Sequence, residues 1–109
     1  MAKRKNGERY ELHCMRKMRL HGWMFVQQCG KTNRADFGGD IIARGFMFQK
    51  IVVQCKDYSK PVGVSAVQQA YTAKRYYGAS RAAVAAKGTF TKSARQLAKS
   101  CGVELWARY

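Results

Sequence analysis

Apolar and polar positions in the first half of the chain follow first a helical and then a strand period. Helical spacing predicts a helix over about residues 8–21, with Asn6 as its cap and Gly22 at its end. Gly45 separates the last two strands of this half by a short turn, so we expect an antiparallel hairpin there. Three runs rich in aromatic and β-branched residues predict the strands, over residues 23–29, 40–44 and 48–56.

The second half of the chain alternates between helix and strand after a break at Pro61 and Gly63. A last helix is expected to begin at Phe90 or Thr91 and to end before Gly102. The other predicted elements are a helix over about residues 65–77 and buried strands over residues 82–86 and 103–107. The order α-β-β-β-α-β-α-β predicts an α/β fold without internal repeats.

Length and composition fit one packed domain. The 109 residues are 47% apolar and 12% aromatic with a single proline, which is too hydrophobic for a disordered chain. A chain of this length buries about two-thirds of its unfolded surface on folding. We expect a single domain over residues 7–109, preceded by a basic arm over residues 1–6.

Net charge points to a polyanionic partner. The 21 lysines and arginines against 6 acidic residues leave a formal charge of +15 and a pI near 10.2. A membrane partner is less favoured, because no apolar run of about 18 residues occurs and no apolar segment follows the basic start. We expect a cytoplasmic protein, in the host cytoplasm if a phage encodes it.

The basic residues show no motif that reads base sequence, neither a helix-turn-helix nor a zinc finger. Affinity for DNA should therefore come from phosphate contacts. Each candidate also fits a solvated surface residue. The candidates are Lys3, Arg4 and Lys5 in the arm, Arg9, Arg16, Lys17 and Arg19 on the first helix, Lys31 and Arg34 in the loop, Lys74 and Arg75 on the second helix, and then Arg81, Lys87, Lys92, Arg95 and Lys99.

The cysteines predict free thiols in a reducing compartment. Cys14, Cys29, Cys55 and Cys101 lie far apart, without a CxxC pair or a histidine at zinc-finger spacing. Each lies in or beside an apolar segment, where a cysteine packs as a small hydrophobic residue.

Asp40, Gln54 and Lys56 are the candidate catalytic residues that the strand pattern brings together. Asp40 begins an apolar strand directly after two glycines, where a carboxylate needs a charged partner or a metal. Two-residue periodicity puts Gln54 and Lys56 on one face of the following hairpin strand. Antiparallel pairing then brings that end of the strand close to Asp40.

Such a cluster suits the hydrolysis of a phosphodiester bond. Carboxylate and amide oxygens bind Mg²⁺, or Mn²⁺ as its substitute, and the backbone carbonyl of Cys55 is a further candidate ligand. A lysine there stabilises charge or orients the nucleophile. The spacing fits equally well a plain salt bridge between Asp40 and Lys56 at a sheet edge, with Gln54 as a solvated strand residue.

Several segments resemble the PD-(D/E)xK nuclease superfamily, specifically its Mrr-like restriction endonuclease branch. Asp40 followed by Gln54-Cys55-Lys56 resembles the D…(D/E/Q)xK signature in the form with glutamine at the middle position. The likeness covers about residues 7–107 in one order. The other matching segments are residues 7–11, similar to a GxxFE opening, residues 36–40, similar to a DxGxD loop, Val67-Gln68-Gln69 on the second helix, and residues 88–94 after the fourth strand.

The resemblance implies a restriction-endonuclease-like fold, with a central mixed sheet flanked by helices, and Mg²⁺-dependent cleavage of DNA. It implies that Asp40 is the principal metal ligand, Gln54 a weaker one and Lys56 the catalytic lysine. It also implies that Glu11 leans toward the metal and that Gln69 lies close by. Glu11 equally fits a role in the helix dipole alone, and Gln68 is an alternative to Gln69.

Two questions of function stay open at this stage. The neutral amide of Gln54 supplies less negative charge to a metal than a carboxylate would. A catalytically inactive DNA-binding protein on a nuclease fold is therefore the alternative to an enzyme. The net positive charge alone also fits an RNA-binding protein. Without a separate target-reading domain, the chain resembles compact Holliday junction resolvases, which recognise branched DNA by shape. Cutting both strands would require a homodimer, for which Phe46, Phe48, Tyr76 and Tyr77 are candidate interface residues or, equally, core residues.

Overall fold

A computed structural model of the protein describes residues 6–29 and 40–109, and the side chains of residues 9–29 and 41–109. The order of elements in these ranges matches the predicted α-β-β-β-α-β-α-β. The helices are α1 (Asn6–Leu20), α2 (Val64–Tyr76) and α3 (Lys92–Cys101). The strands are β1 (Met24–Cys29), β2 (Asp40–Arg44), β3 (Lys50–Lys56), β4 (Arg81–Ala86) and β5 (Glu104–Trp106).

The helix ends show which capping signals the sequence carried. Thr91 is the N-cap of α3, and its side chain accepts a hydrogen bond of 3.0 Å from the Ala94 N–H. Gly102 ends the same helix in the left-handed conformation, with φ of 75°. Asn6 does not precede α1 as a cap but is the first residue of the helix, so this prediction was wrong by one position.

The strands form a mixed sheet in the order β1-β2-β3-β4-β5. β1, β2 and β3 pair antiparallel as a meander, whereas β3, β4 and β5 pair parallel. The parallel pairs need crossover connections, which α2 and α3 provide. The mixed sheet flanked by helices that the sequence predicted is confirmed.

The two faces of the sheet bury different helices, because side chains alternate along each strand. α1 packs on the face that carries Ile41, Val53 and Cys55, here called the α1 face. α2 and α3 pack on the face that carries Ile42, Val52 and Val84, here called the α2 face. Alanines on both faces of β4 leave room for helices to approach closely.

The β2–β3 connection differs from the short turn predicted around Gly45. Residues Phe46–Phe48 form a single 3₁₀ turn, and β3 begins at Lys50 rather than at residue 48. A Cβ atom at Gly45 would lie 2.6 Å from Cζ3 of Trp23, so glycine is needed where the hairpin passes this ring.

No described helix is both long enough and apolar enough to cross a lipid bilayer. Cys14, Cys29, Cys55 and Cys101 are thiols that form no disulfide, as predicted.

Candidate active site

The candidate site lies where β2 begins and β3 ends. Asp40 pairs directly with Gln54 across the antiparallel ladder, and on its other side it pairs with Cys29 of β1. Paired residues in such a ladder belong to the same face of the sheet, with Cβ atoms about 4.5–5.5 Å apart. The register therefore brings position 40 and position 54 together, although the side chain of Asp40 lies outside the described residues.

Gln54 and Lys56 are polar residues in an otherwise apolar strand. They lie two residues apart on the α2 face, and their exposed fractions are only 9% and 6%. The ammonium nitrogen of Lys56 lies 5.8 Å from the centre of the Tyr58 ring, within reach of a cation–π interaction. A buried lysine and amide are costly unless they are paired, so their place at the end of β3 marks this point as a functional candidate.

Glu11 lies close to this end of the sheet but on its other side. Its helix packs on the α1 face, and its carboxylate accepts a hydrogen bond of 2.5 Å from Nε2 of Gln28. Gln28 pairs with Ile41, the residue after Asp40, so the partner of Glu11 lies one residue along the strand from the position that pairs with Asp40. Only 7% of Glu11 is exposed, a degree of burial that a role in the helix dipole alone does not require.

Gln69 is exposed on α2, as is its neighbour Gln68. The face of α2 that packs on the sheet is built from Ala66, Val67, Ala70 and Ala73. Gln69 lies three residues after Ala66 and four before Ala73, which puts it at the border of this buried face, whereas Gln68 lies on the opposite side of the helix. Helix geometry therefore favours Gln69 over Gln68 as the residue that can approach the sheet.

Cys55 separates Gln54 from Lys56 and belongs to the opposite face. Its side chain is fully buried on the α1 face together with Cys14, so the thiol faces away from the side that carries Gln54. The backbone carbonyl of Cys55, not its sulfur, is thus the group that a metal at this end could use.

The predicted nucleic-acid contacts divide by position. Lys74 and Arg75 lie in the last turn of α2. This end of the helix lies beside the beginning of β3, where Nζ of Lys50 donates a hydrogen bond of 2.9 Å to the carbonyl of Tyr77. They are therefore at the end of the sheet opposite to Lys56. Five further candidates lie outside the described residues: Lys3, Arg4, Lys5, Lys31 and Arg34.

Sequence reasoning missed His13 and Arg108 at the Lys56 end, and it marked Arg9 only as one of the basic residues of the first helix. Arg9, His13 and Arg108 line a cavity there, together with Lys87, which the sequence marked only as a general basic residue. No local motif joins them, since α1, the end of β4 and the last residues of the chain meet only in the folded protein. These residues are far apart in the sequence, so no local pattern could identify them as one group.

Comparisons with known proteins agree with the overall fold. A family model described as a restriction endonuclease, Mrr_cat, matches residues 2–109. No curated protein sequence matches the chain.

Three solved structures share the fold at low sequence identity. EndoMS in its apo form superposes with a TM-score of 0.67 at 13% identity, over 98% of this chain and 47% of EndoMS. The DNA modification-dependent restriction endonuclease AspBHI superposes with a TM-score of 0.68 at 17% identity, over 94% of this chain and 31% of AspBHI. A repair endonuclease from Pyrococcus abyssi superposes with a TM-score of 0.63 at 17% identity, over 98% and 48%. The chain thus spans half or less of the length of each.

Proposed function

Since this chain belongs to the Mrr_cat restriction endonuclease family, we propose that it is a metal-dependent endonuclease that hydrolyses phosphodiester bonds of DNA. The observation that carries the proposal is the pair of buried polar residues Gln54 and Lys56 beside the Asp40 rung. The net charge of +15 supports a polyanionic substrate.

The candidate donors suit Mg²⁺, with Mn²⁺ as its substitute. Asp40, Gln54, the carbonyl of Cys55 and Glu11 offer oxygen atoms only, and hard divalent cations prefer oxygen ligands. When bound, such an ion polarises a phosphoryl oxygen and lowers the pKa of a bound water molecule. Asp40, Gln54 and the carbonyl of Cys55 would hold it, with Glu11 as a further candidate ligand.

Lys56 would supply a fixed positive charge at the reacting phosphate. Its stem is buried in the α2 face, so its ammonium group is held in place before substrate binds. A preorganised charge of this kind stabilises the extra negative charge of the transition state without reorganisation. The alternative, a plain salt bridge between Lys56 and Asp40, predicts a role in stability but none in cleavage.

The test is a cleavage assay on labelled duplex, single-stranded and four-way junction DNA, with Mg²⁺, with Mn²⁺ and with EDTA. The wild-type protein should cut with either metal and not with EDTA, and Asp40→Ala and Lys56→Ala should bind DNA without cutting it. Arg44→Ala, which removes a charge at the end of the sheet opposite to Lys56, is the matched control and should cut normally. Cleavage by Lys56→Ala at the wild-type rate would refute the proposed site.

The neutral amide of Gln54 favours a second candidate, a DNA-binding protein that keeps the nuclease fold without activity. In the same assay this candidate gives tight binding and no cleavage in either metal. Competition with RNA of equal length separates both candidates from an RNA-binding protein, which would prefer RNA.

Branched DNA is the finer substrate class that we propose, with a homodimer as the active form. A domain that reads phosphates rather than bases recognises the shape of DNA, which suits Holliday junctions and other branched substrates. Cutting both strands in one encounter then needs two copies of the site. Phe46, Phe48 and Tyr76 are exposed at the end of the sheet opposite to Lys56, so contact between two copies there leaves both candidate sites accessible to DNA.

A further inference from the structure

A cavity of about 500 Å³ lies beside the Lys56 end of β3 and takes no part in the chemistry proposed above. We propose that this cavity, the basic pocket, binds a phosphate group of the DNA strand together with the nucleotide attached to it. The inference rests on the proposed endonuclease function and names a second point of contact with the same substrate. The basic pocket is lined by Arg9, Tyr10, His13, Asp57, Lys87, Arg108 and Tyr109.

The position of the basic pocket follows from the ends of the parallel strands. Asp57 directly follows Lys56, and the N–H of Lys87 donates a hydrogen bond of 3.2 Å to the carbonyl of Lys56. The N–H groups of Arg108 and Tyr109 donate to the carbonyls of Gly88 and Ala86, at 2.8 and 2.9 Å. The pocket thus lies at the carboxyl ends of β3 and β4, where open α/β sheets bind their ligands.

Charge in the basic pocket favours an anion. The side chains of Arg9, Lys87 and Arg108 carry three positive charges against the one side-chain carboxylate of Asp57, so the side chains have a formal balance of +2 when histidine is counted as neutral. Asp57 lies 3.6 Å from Lys87 and is partly engaged by it. Neither arginine forms an ion pair with a carboxylate whose side chain is described, so both guanidinium groups can bind phosphate.

The walls of the basic pocket are aromatic, which suits the rest of a nucleotide. The rings of Tyr10 and His13 stack with centroids 5.7 Å apart and an interplanar angle of 24°. Burial raises the pKa of Tyr109 to about 12, so its phenol stays neutral at physiological pH. A volume of this size falls within the range of about 300–1,000 Å³ typical of small-ligand sites, well above what a phosphate group alone needs.

Tyr109 is held in place by groups on α1. Nζ of Lys17 donates a hydrogen bond of 2.6 Å to the carbonyl oxygen of Tyr109 and lies 4.2 Å from the centre of its ring. Nε2 of His13 lies 3.1 Å from the same oxygen. The basic pocket is therefore a formed site before DNA arrives, with one wall fixed against the first helix.

The test measures DNA binding in EDTA, where cleavage plays no part. Fluorescence anisotropy compares a labelled single-stranded oligonucleotide that carries a 5′-phosphate with the same oligonucleotide that carries a 5′-hydroxyl. The variants are Arg9→Gln and Arg108→Gln, each with one charge removed from an exposed side chain. Arg44→Gln, which removes a charge at the end of the sheet opposite to Lys56, is the matched control.

We expect each arginine variant of the pocket to weaken binding by about tenfold and Arg44→Gln to change it much less. The slope of log K against log salt should also fall by about 0.7 for each phosphate of a single strand that the variant no longer neutralises. A preference for the 5′-phosphate that disappears in both variants assigns the pocket to a terminal phosphate. An equal decrease in affinity for both oligonucleotides assigns it to an internal one.

If Arg9→Gln and Arg108→Gln bind DNA with the same affinity and salt slope as the Arg44→Gln control, the proposed basic pocket is wrong. Cleavage with Mg²⁺, measured in parallel, separates this failure from that of the proposed function. If wild-type protein cuts DNA while the variants bind normally, the endonuclease stands and the pocket is wrong. If wild-type protein binds through the pocket and never cuts, the pocket stands and the endonuclease is wrong.

Discussion

Asp40 and Gln54 are Cα partners across the β2–β3 ladder, so the first two positions of the candidate site are fixed by one rung of a regular hairpin. Lys56 follows two residues later on the same face. A site built on paired strands is held more precisely than one built on loops. Single substitutions at these positions can therefore separate metal binding, catalysis and stability.

Gln54→Glu should strengthen metal binding, because a second carboxylate beside the Asp40 rung adds negative charge at the proposed ligand set. We expect the Mg²⁺ concentration for half-maximal cleavage to fall by about tenfold. In EDTA the two neighbouring carboxylates should repel each other, so the melting temperature should drop and Mg²⁺ should restore it. Thermal unfolding with and without Mg²⁺ measures this directly, and a metal requirement identical to wild type would argue against Gln54 as a ligand.

Glu11→Gln separates a metal ligand from a structural residue. The amide oxygen of the new side chain can still accept the hydrogen bond from Gln28, so the fold should be kept while the negative charge is removed. If Glu11 reaches the metal, cleavage should fall by about tenfold or more and higher Mg²⁺ should partly restore it. Gln28→Ala is the control, since it removes the hydrogen-bond donor and keeps the carboxylate. Full cleavage activity in Glu11→Gln would show that Glu11 has a structural role in the packing of α1 and does not bind the metal.

The sequence was sufficient to place positions 40, 54 and 56 relative to one another, because local pattern and hairpin geometry act together there. Alternation along β3 placed Gln54 and Lys56 on one face, and antiparallel pairing placed Asp40 beside them, as the register has it. It failed where apolar residues do not pack. The sequence predicts Phe48 at the start of a strand and leaves Phe46 and Phe48 open as interface or core residues. Both lie in an exposed 3₁₀ turn, because the same apolar composition fits either setting when tertiary contacts are unknown.

Contacts between distant segments were beyond the reach of the sequence pattern. Glu11 lies on a helix that covers the α1 face, and no periodicity within α1 reveals which side of a sheet the helix will cover. Arg9 and Arg108 come from opposite ends of the chain, and only the closing of α1 over the ends of β3 and β4 brings them together in the basic pocket. A sequence motif depends on spacing within one segment, whereas a pocket depends on how several distant segments pack together.

Gly45→Ala should destabilise the protein without affecting the candidate site. The added methyl group would lie 2.6 Å from the Trp23 ring, so the ring or the hairpin must shift. Overpacking of this kind costs about 1–3 kcal/mol of the free energy of unfolding. Urea unfolding followed by tryptophan fluorescence measures the decrease. Gly63→Ala is the matched control, because nothing lies within 4 Å of a Cβ atom there. Equal stability of the two variants would contradict the close packing of Trp23.

Thr91→Ala should cost about 1 kcal/mol of stability through the removal of one helix cap. The hydroxyl oxygen of Thr91 accepts the N–H of Ala94, which has no partner within the first turn of α3. Thr91→Ser keeps the oxygen and should retain most of the stability, so the pair isolates the hydrogen bond from the missing methyl group. Chemical denaturation at constant pH provides both values. A decrease in Thr91→Ser as large as that in Thr91→Ala would mean that the methyl group, and not the cap, matters.

Phe46→Ser and Tyr76→Ser should convert the proposed homodimer to a monomer. The exposed fractions of these rings are 82% and 81%, so neither contributes to the core and both can be changed without unfolding the protein. Tyr77 is half-buried against the core and is unsuitable for this test. Sedimentation velocity measures the oligomeric state.

Oligomeric state and cleavage can be checked independently, because the exposed rings lie far from Lys56. A monomeric double variant should still nick one strand of a duplex at about the wild-type rate per site, while paired cuts across a four-way junction should disappear. Tyr71→Ser, a partly exposed aromatic residue on the same helix as Tyr76, is the matched control and should leave the oligomeric state unchanged. A wild-type protein that sediments as a monomer at all concentrations, and nevertheless makes paired cuts, would refute the homodimer.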